Sequence, residues 1–345
     1  MIIDANMHWL PEDIFKDKPL QDSFINCVPC AYGEYARVAT ISGTKLQQII
    51  IEKPLGYENL NYVENQYNQK TQVADMDEAG IDIAILRIPC WQEWLPLEMC
   101  QMVNDRLAAH VKQHPDRFRA VAVVPPWGTK ECLKEVERCI FKLGLSGVQL
   151  AAHYGRLYLD EEQFRPYFRK LNEMGVPVIV HHTPLPVDYS SLIKYTNVRR
   201  QLGRCVDQAT AVGRELFSGM FEELPNLKII HSMLGGGFFA YVNMLAPRKV
   251  AVKEELERFD VADKVSGYLK QNIYFDMSGA LQWGKAQLEC AVSVLGADHI
   301  LYGGSYPLRR EWFMKGVEYV NSLNIDKKEK SLILGENAVK LFKIK

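Results

Sequence analysis

Asp4, Asn6 and His8 fall at every second position of the opening stretch MIIDANMHW, and a strand would turn all three the same way. Buried polar groups need partners, so this stripe reads as a metal site, the remnant of one, or a satisfied polar core. His153, His181, His182 and His231 each close a later apolar run, and with His8 they are five of the eight histidines in the chain. An imidazole, with an unperturbed pKa of about 6.5, can take or give a proton near neutral pH. Arg87 also ends an apolar run and could grip a carboxylate through parallel hydrogen bonds; an ion pair with a carboxylate such as Glu93 is its structural alternative. Trp91 and Trp94 could wall a flat ring or simply pack a loop. Asp276 could orient a histidine or be a paired core carboxylate.

The elements that must position these groups are eight apolar runs, at 1–6, 82–88, 119–125, 146–152, 176–182, 227–233, 272–278 and 299–305. Amphipathic stretches such as LEMCQMVNDRLAAHVKQHPDRF separate most of them, with apolar residues recurring at three and four. Continuous apolar strands alternating with helices predict a parallel sheet covered by helices. Eight such units favour a (β/α)8 TIM barrel, whose active site forms at the C-terminal ends of the strands. The candidate residues above lie at those ends. Residues 10–70 interrupt the rhythm and read as an insertion or lid after the first strand, with a hairpin turning at Ser42-Gly43. The expectation is one barrel domain over 1–345.

Bulk composition narrows the partners. With 41 basic and 42 acidic residues the net charge is −1, which gives no reason to invoke nucleic acid or an anionic membrane. No run approaches the roughly 20 apolar residues of a membrane span, and the N-terminus lacks the layout of a secretion signal. Eight scattered cysteines then read as reduced thiols in a cytoplasmic protein, and CVPC at 27–30 as incidental. The glycines of SMLGGGFF lack the spacing of a phosphate-binding loop.

Several blocks in order give a resemblance: VADMDEAGIDIAIL, VNDRLAAHVKQHPDRFRAVAVVPP, KEVERCIFKLGLSGVQLAAH, GMFEELPNLKIIHSMLGGG and ILYGGSYPL. Together they resemble the amidohydrolase superfamily, in the branch of α-amino-β-carboxymuconate-ε-semialdehyde decarboxylase and related aromatic-acid decarboxylases. The resemblance implies a distorted (β/α)8 barrel, a divalent metal, a small-molecule carboxylate substrate and, by analogy, a homodimer in which Arg248 could reach the neighbouring site. His8 and His181 match metal-binding positions of the family. Asn6 stands where the family has His or Glu, and Ser305 where it has the aspartate of Gly-Ser-Asp-Tyr-Pro. No histidine matches the position before the triple glycine; His231 is displaced toward the strand interior.

A catalytic Zn²⁺ normally has three protein ligands of imidazole or anionic type. A neutral amide and a hydroxyl suit a hard cation poorly without carboxylates. No metal is therefore expected, Zn or Mn being the alternative if His231 or His182 supplies a third imidazole. His8, His181, His153 and Asp276 are expected to carry catalysis; Arg87, Trp91, Asn6, Ser305 and His231 are expected to bind substrate. The expected reaction is non-oxidative decarboxylation of a small aromatic or unsaturated carboxylate. The alternatives are a metal-independent hydrolase, hydratase or cyclase, and a non-catalytic binding paralogue.

Overall fold

A computed structural model describes the chain except for residues 31–32, 54, 184–191, 193–197 and 246–261. Eight strands follow the sequence in order: β1 (Ile3–His8), β2 (Ile83–Arg87), β3 (Phe118–Ala120, continued by Ala122–Val123), β4 (Val148–Ala151), β5 (Val178–His181), β6 (Ile229–His231), β7 (Ile273–Asp276) and β8 (Ile300–Leu301). Each pairs in parallel with the next, β1 with β2 and onward to β7 with β8. Past β8 the chain returns to β1: Ala5 N–H donates to Tyr302 O at 2.9 Å and His8 N–H to Tyr306 O at 2.8 Å. The result is a mixed α/β fold around parallel strands. Helices such as Leu97–Gln113, Arg165–Met174 and Gly203–Phe217 follow the strands, each burying an apolar face. Among the described residues no helix is long and apolar enough to cross a membrane.

One residue from most strands contributes to an inner apolar cluster: Ile3 and Ala5, Ile83 and Ile85, Val121, Ile179, Ile230, Tyr274 and Leu301, joined by Leu341 and Phe342 of the C-terminal helix. Because side chains alternate, the residue two further along each strand faces the same interior, nearer the C-terminal end. That parity puts Arg87, His181 and Asp276 on the inner side.

Between β1 and β2 lie a short helix, Lys18–Asn26, and an antiparallel sheet of Tyr35–Thr40, Gln47–Glu52 and Glu58–Val63. The expected hairpin is present, with Thr40 opposite Gln47 across the turn that holds Ser42 and Gly43. Beyond it the described residues of segment 10–70 hold a third strand, Glu58–Val63, a helical turn at Glu12–Phe15 and the Lys18–Asn26 helix, which the sequence pattern did not show. All eight cysteines are free thiols.

Candidate active site

Three imidazoles meet at the C-terminal ends of β1 and β5. The rings of His8 and His181 are edge to face with centroids 5.4 Å apart, and His182 stacks on His181 at 4.1 Å. Both ring nitrogens of His8, Nε2 of His181 and Nδ1 of His182 have no hydrogen-bond partner. All three line a cavity of about 460 Å³, together with Ser278, Ser305, Met233, Arg204 and, at the rim, Arg309 and Trp312. Burial holds each of the three imidazoles well below the usual histidine range. The Arg87 guanidinium adds to this for His8, His182 and Arg87 for His181, and Arg204 for His182. At pH 7 these rings are neutral, each with a lone pair available to take a proton.

Beneath the cavity lies a different arrangement. Arg87 donates from Nε to Asn6 Oδ1 at 2.9 Å and from Nη2 to Asp276 Oδ2 at 3.2 Å. Asn6 Nδ2 donates to Ser278 Oγ at 2.9 Å, with Asp276 Oδ1 at 3.3 Å and Ser305 Oγ at 3.4 Å. Ser278 Oγ also accepts from Met233 N–H at 3.0 Å and gives its own proton to Asp276. A hydroxyl has one donor and two acceptor sites, so Ser278 is fully engaged and holds the floor rather than attacking a substrate. Ser232 Oγ adds a bond to Asp276 at 3.2 Å. Gly303 is required here, because a Cβ on it would come within 2.8 Å of the Asn6 Cβ.

Several expected placements are corrected. Asp4 does not join Asn6 and His8 on one face. Ala5 enters the inner cluster and the β1–β2 register slips between Asp4 and Met7. Asp4 Oδ1 instead accepts from the backbone N–H of Asn6 (2.7 Å) and Gly304 (2.9 Å). Arg87 is fully buried and pairs with Asp276 rather than Glu93, so it sits behind the cavity instead of clamping a substrate in it. His231 faces away from the cavity, fully buried between Gln208 (3.0 Å) and Glu215 (2.8 Å) of the helix after β5. The reason is parity: Ile230 points inward, so the next residue points outward. Trp91 is wholly buried, giving its indole N–H to Phe24 O at 2.9 Å, and Trp94 packs edge-on against it. His153 turns to Gly155 O (3.0 Å), Thr183 (2.9 Å) and Asp207, outside the cavity wall. Arg248 lies outside the described residues.

Sequence reasoning passed over Ser278, Ser232, Arg204, Arg309 and Trp312. The two serines carried a usable signal, lying two positions beyond inward-facing Asp276 and Ile230. The arginines and the tryptophan carried none, since helix starts and loops rich in such residues are ordinary.

A family model described as amidohydrolase matches residues 3–344. The chain belongs to the amidohydrolase family. It is an enzyme of that superfamily. A gamma-resorcylate decarboxylase of Rhizobium sp. (strain MTP-10005) is 30% identical over 299 residues, 80% of this chain and 87% of that protein. A 2-amino-3-carboxymuconate-6-semialdehyde decarboxylase of Dictyostelium discoideum is 27% identical over 180 residues, 50% of each chain. Among solved structures, a dihydroxybenzoic acid decarboxylase from Polaromonas sp. JS666, with bound manganese and the inhibitor 2-nitroresorcinol, superimposes with a TM-score of 0.69 over 99% of this chain and 97% of that one, at 21% identity.

The manganese of that neighbour raises the question of whether this amidohydrolase could hold one. Its donors do not fit. Among the described residues no three His, Cys, Asp or Glu side chains converge to hold an ion. The carboxylate nearest the floor, Asp276, is already paired with Arg87, and the Asn6 amide oxygen accepts from the same guanidinium. A divalent cation between Asn6 and His8 would face that buried positive charge at close range.

Proposed function

We propose that this amidohydrolase is a carboxy-lyase for small hydroxylated aromatic or unsaturated acids, working by imidazole proton transfer without a divalent ion. The strands are read as closing into a barrel, which the bonds from Ala5 and His8 to the chain beyond β8 support. Residues 10–70 are read as an insertion over its mouth. The observation that carries the function is the pair His8 and His181, neutral, adjacent and with open ring nitrogens in a cavity that also holds two arginines. The named activities of its relatives are decarboxylations of this kind.

In a hydroxylated aromatic acid, a neutral imidazole takes the proton of the hydroxyl beside the carboxylate. It returns that proton to the ring carbon bearing the carboxylate. The carbon–carbon bond then breaks, its electron pair passes into the ring to regenerate the aromatic phenolate, and CO2 leaves. Proton and electrons balance with no oxidant or reductant. His8 and His181 are proposed as the proton carriers, and Asn6, Asp276 and Arg87 as the floor that fixes His8.

The test is CO2 release from gamma-resorcylate (2,6-dihydroxybenzoate) and related hydroxybenzoates by metal-analysed protein. Turnover with less than about 0.1 equivalent of Zn or Mn is expected, and its abolition by chelation would overturn the metal-free reading. Consumption of a lactone or amide without CO2 would instead favour a hydrolase in which the same imidazole activates water.

A further inference from the structure

Trp312 and Arg309 occupy the first turn after the loop that follows β8, and both line the cavity. Arg309 caps the helix Arg310–Asn321 and Trp312 lies in its first turn, with the Arg309 guanidinium 5.7 Å from the centre of the Trp312 ring. The indole rests on Gly279. A Cβ at that position would come within 2.4 Å of Trp312 Cε3 and 3.0 Å of Cζ3, and the backbone there has φ of +96°. Both facts demand glycine, so the chain makes room for this ring. Gly279 is itself pinned: its N–H donates to Gly303 O at 2.6 Å, and its neighbour Ser278 bonds Asn6. The indole is thereby held at a fixed place relative to the floor below His8. Trp91 and Trp94, the tryptophans that the sequence favoured, lie outside the cavity wall.

Arg309 is exposed and has no ion-pair partner among the described residues; its nearest favourable contact is the indole. A guanidinium against tryptophan is weakly held at an exposed site, and a carboxylate accepting two of its N–H groups competes well. The two side chains therefore offer a flat apolar surface and a movable cation side by side.

We infer that Trp312 and Arg309 determine specificity: the indole, seated on Gly279, takes the ring of an aromatic acid, and Arg309 swings from the indole to that acid's carboxylate. This rests on the carboxy-lyase reading and names the part of the site that chooses the substrate. Neither residue touches a proton in the reaction, so they select rather than catalyse.

The experiment is calorimetric binding to the full chain of benzoate, cyclohexanecarboxylate and resorcinol, alongside CO2 release from gamma-resorcylate. These probes separate ring, charge and shape. Trp312→Leu keeps apolar bulk; it is expected to weaken benzoate and resorcinol about 10-fold and cyclohexanecarboxylate no more than about 2-fold. Trp312→Phe should restore most of the loss. Arg309→Gln should weaken both acids about 10-fold and leave resorcinol unchanged. Gly279→Ala keeps the indole but displaces it, and should reproduce the loss of preference for benzoate over cyclohexanecarboxylate even if Trp312→Leu folds poorly. Unchanged benzoate affinity in folded Trp312→Leu or Gly279→Ala overturns the ring platform, while CO2 release by the unaltered protein leaves the carboxy-lyase reading standing. An unaltered protein that binds no aromatic acid and releases no CO2 overturns both.

Discussion

Two neighbouring corners of one cavity are built on opposite terms. At the floor, Asn6, Arg87, Asp276 and Ser278 satisfy one another almost completely, and Ser278 has no hydrogen-bonding capacity left. At the wall, His8 and His181 are buried and His182 half-buried, yet four of their ring nitrogens have no partner. A buried polar group without a partner costs about 1–3 kcal/mol; of these two corners the wall bears most of that cost, the floor leaving only Arg87 Nη1 without a partner. The contrast separates roles. A nearly saturated network fixes geometry and has little left to offer a ligand, whereas imidazoles with open ring nitrogens can exchange a proton with one.

The largest break is expected at the floor. Arg87→Met leaves the Asp276 carboxylate buried without its cation and should cost about 3–5 kcal/mol in urea unfolding. A loss under 1 kcal/mol would show that the floor is not held by that pair.

At the wall the order reverses. His181→Gln removes a ring whose Nε2 has no partner and whose Nδ1 makes only a 3.4 Å contact with Gln92 Nε2, so unfolding free energy at pH 7 should change by less than about 1 kcal/mol while turnover falls about 100-fold or more. The pH behaviour sharpens this. The folded protein keeps these histidines neutral below their usual range, so it disfavours their protonation more than the unfolded chain does. Their contribution to stability is complete above pH 6.5 and is lost as pH falls below it. Urea midpoints should therefore drop between pH 6.5 and 5, less steeply in His181→Gln, and the rate profile should show no inflection near 6.5.

Asp4 stands at the edge of the comparison: one carboxylate oxygen is bonded twice and the other has no partner. Burial pushes its carboxyl up to about 6, so the protonated form is favoured on folding and the group's contribution is lost as pH rises through 6. Asp4→Asn should gain about 3 kcal/mol at pH 8 and nothing near pH 3, measured by denaturation at each pH.

The smallest effect belongs to the Ser305 hydroxyl, whose contact with this floor is a long 3.4 Å one from Asn6 Nδ2. Ser305→Ala should cost about 0.5 kcal/mol or less, against about 1–3 kcal/mol for Ser278→Ala, which strands the Met233 N–H and takes one bond each from Asn6 and Asp276. Equal costs would erase the distinction between a saturated floor and its margin.

Much of this arrangement was written in local pattern. The eight apolar runs, the helices between them and the gathering of His8, His181 and His182 at strand ends follow from hydrophobic periodicity and strand parity, which act within a few residues. His231 shows the limit of reading strand ends without parity, since a shift of one residue moved it from the cavity to a helix interface. The slip in register after Asp4 is likewise a pairing property that one strand's sequence does not carry.

The sequence by itself determined the order of strands and helices and the resemblance to the amidohydrolase family. Only the tertiary structure decided that Arg87 turns inward to Asp276, that Trp91 is core and that Trp312 faces the cavity. The physical reason is that pairing and burial depend on groups brought together from distant segments: Asn6, Arg87 and Asp276 are 81 and 189 residues apart along the chain, and no local rule states which partner each will find.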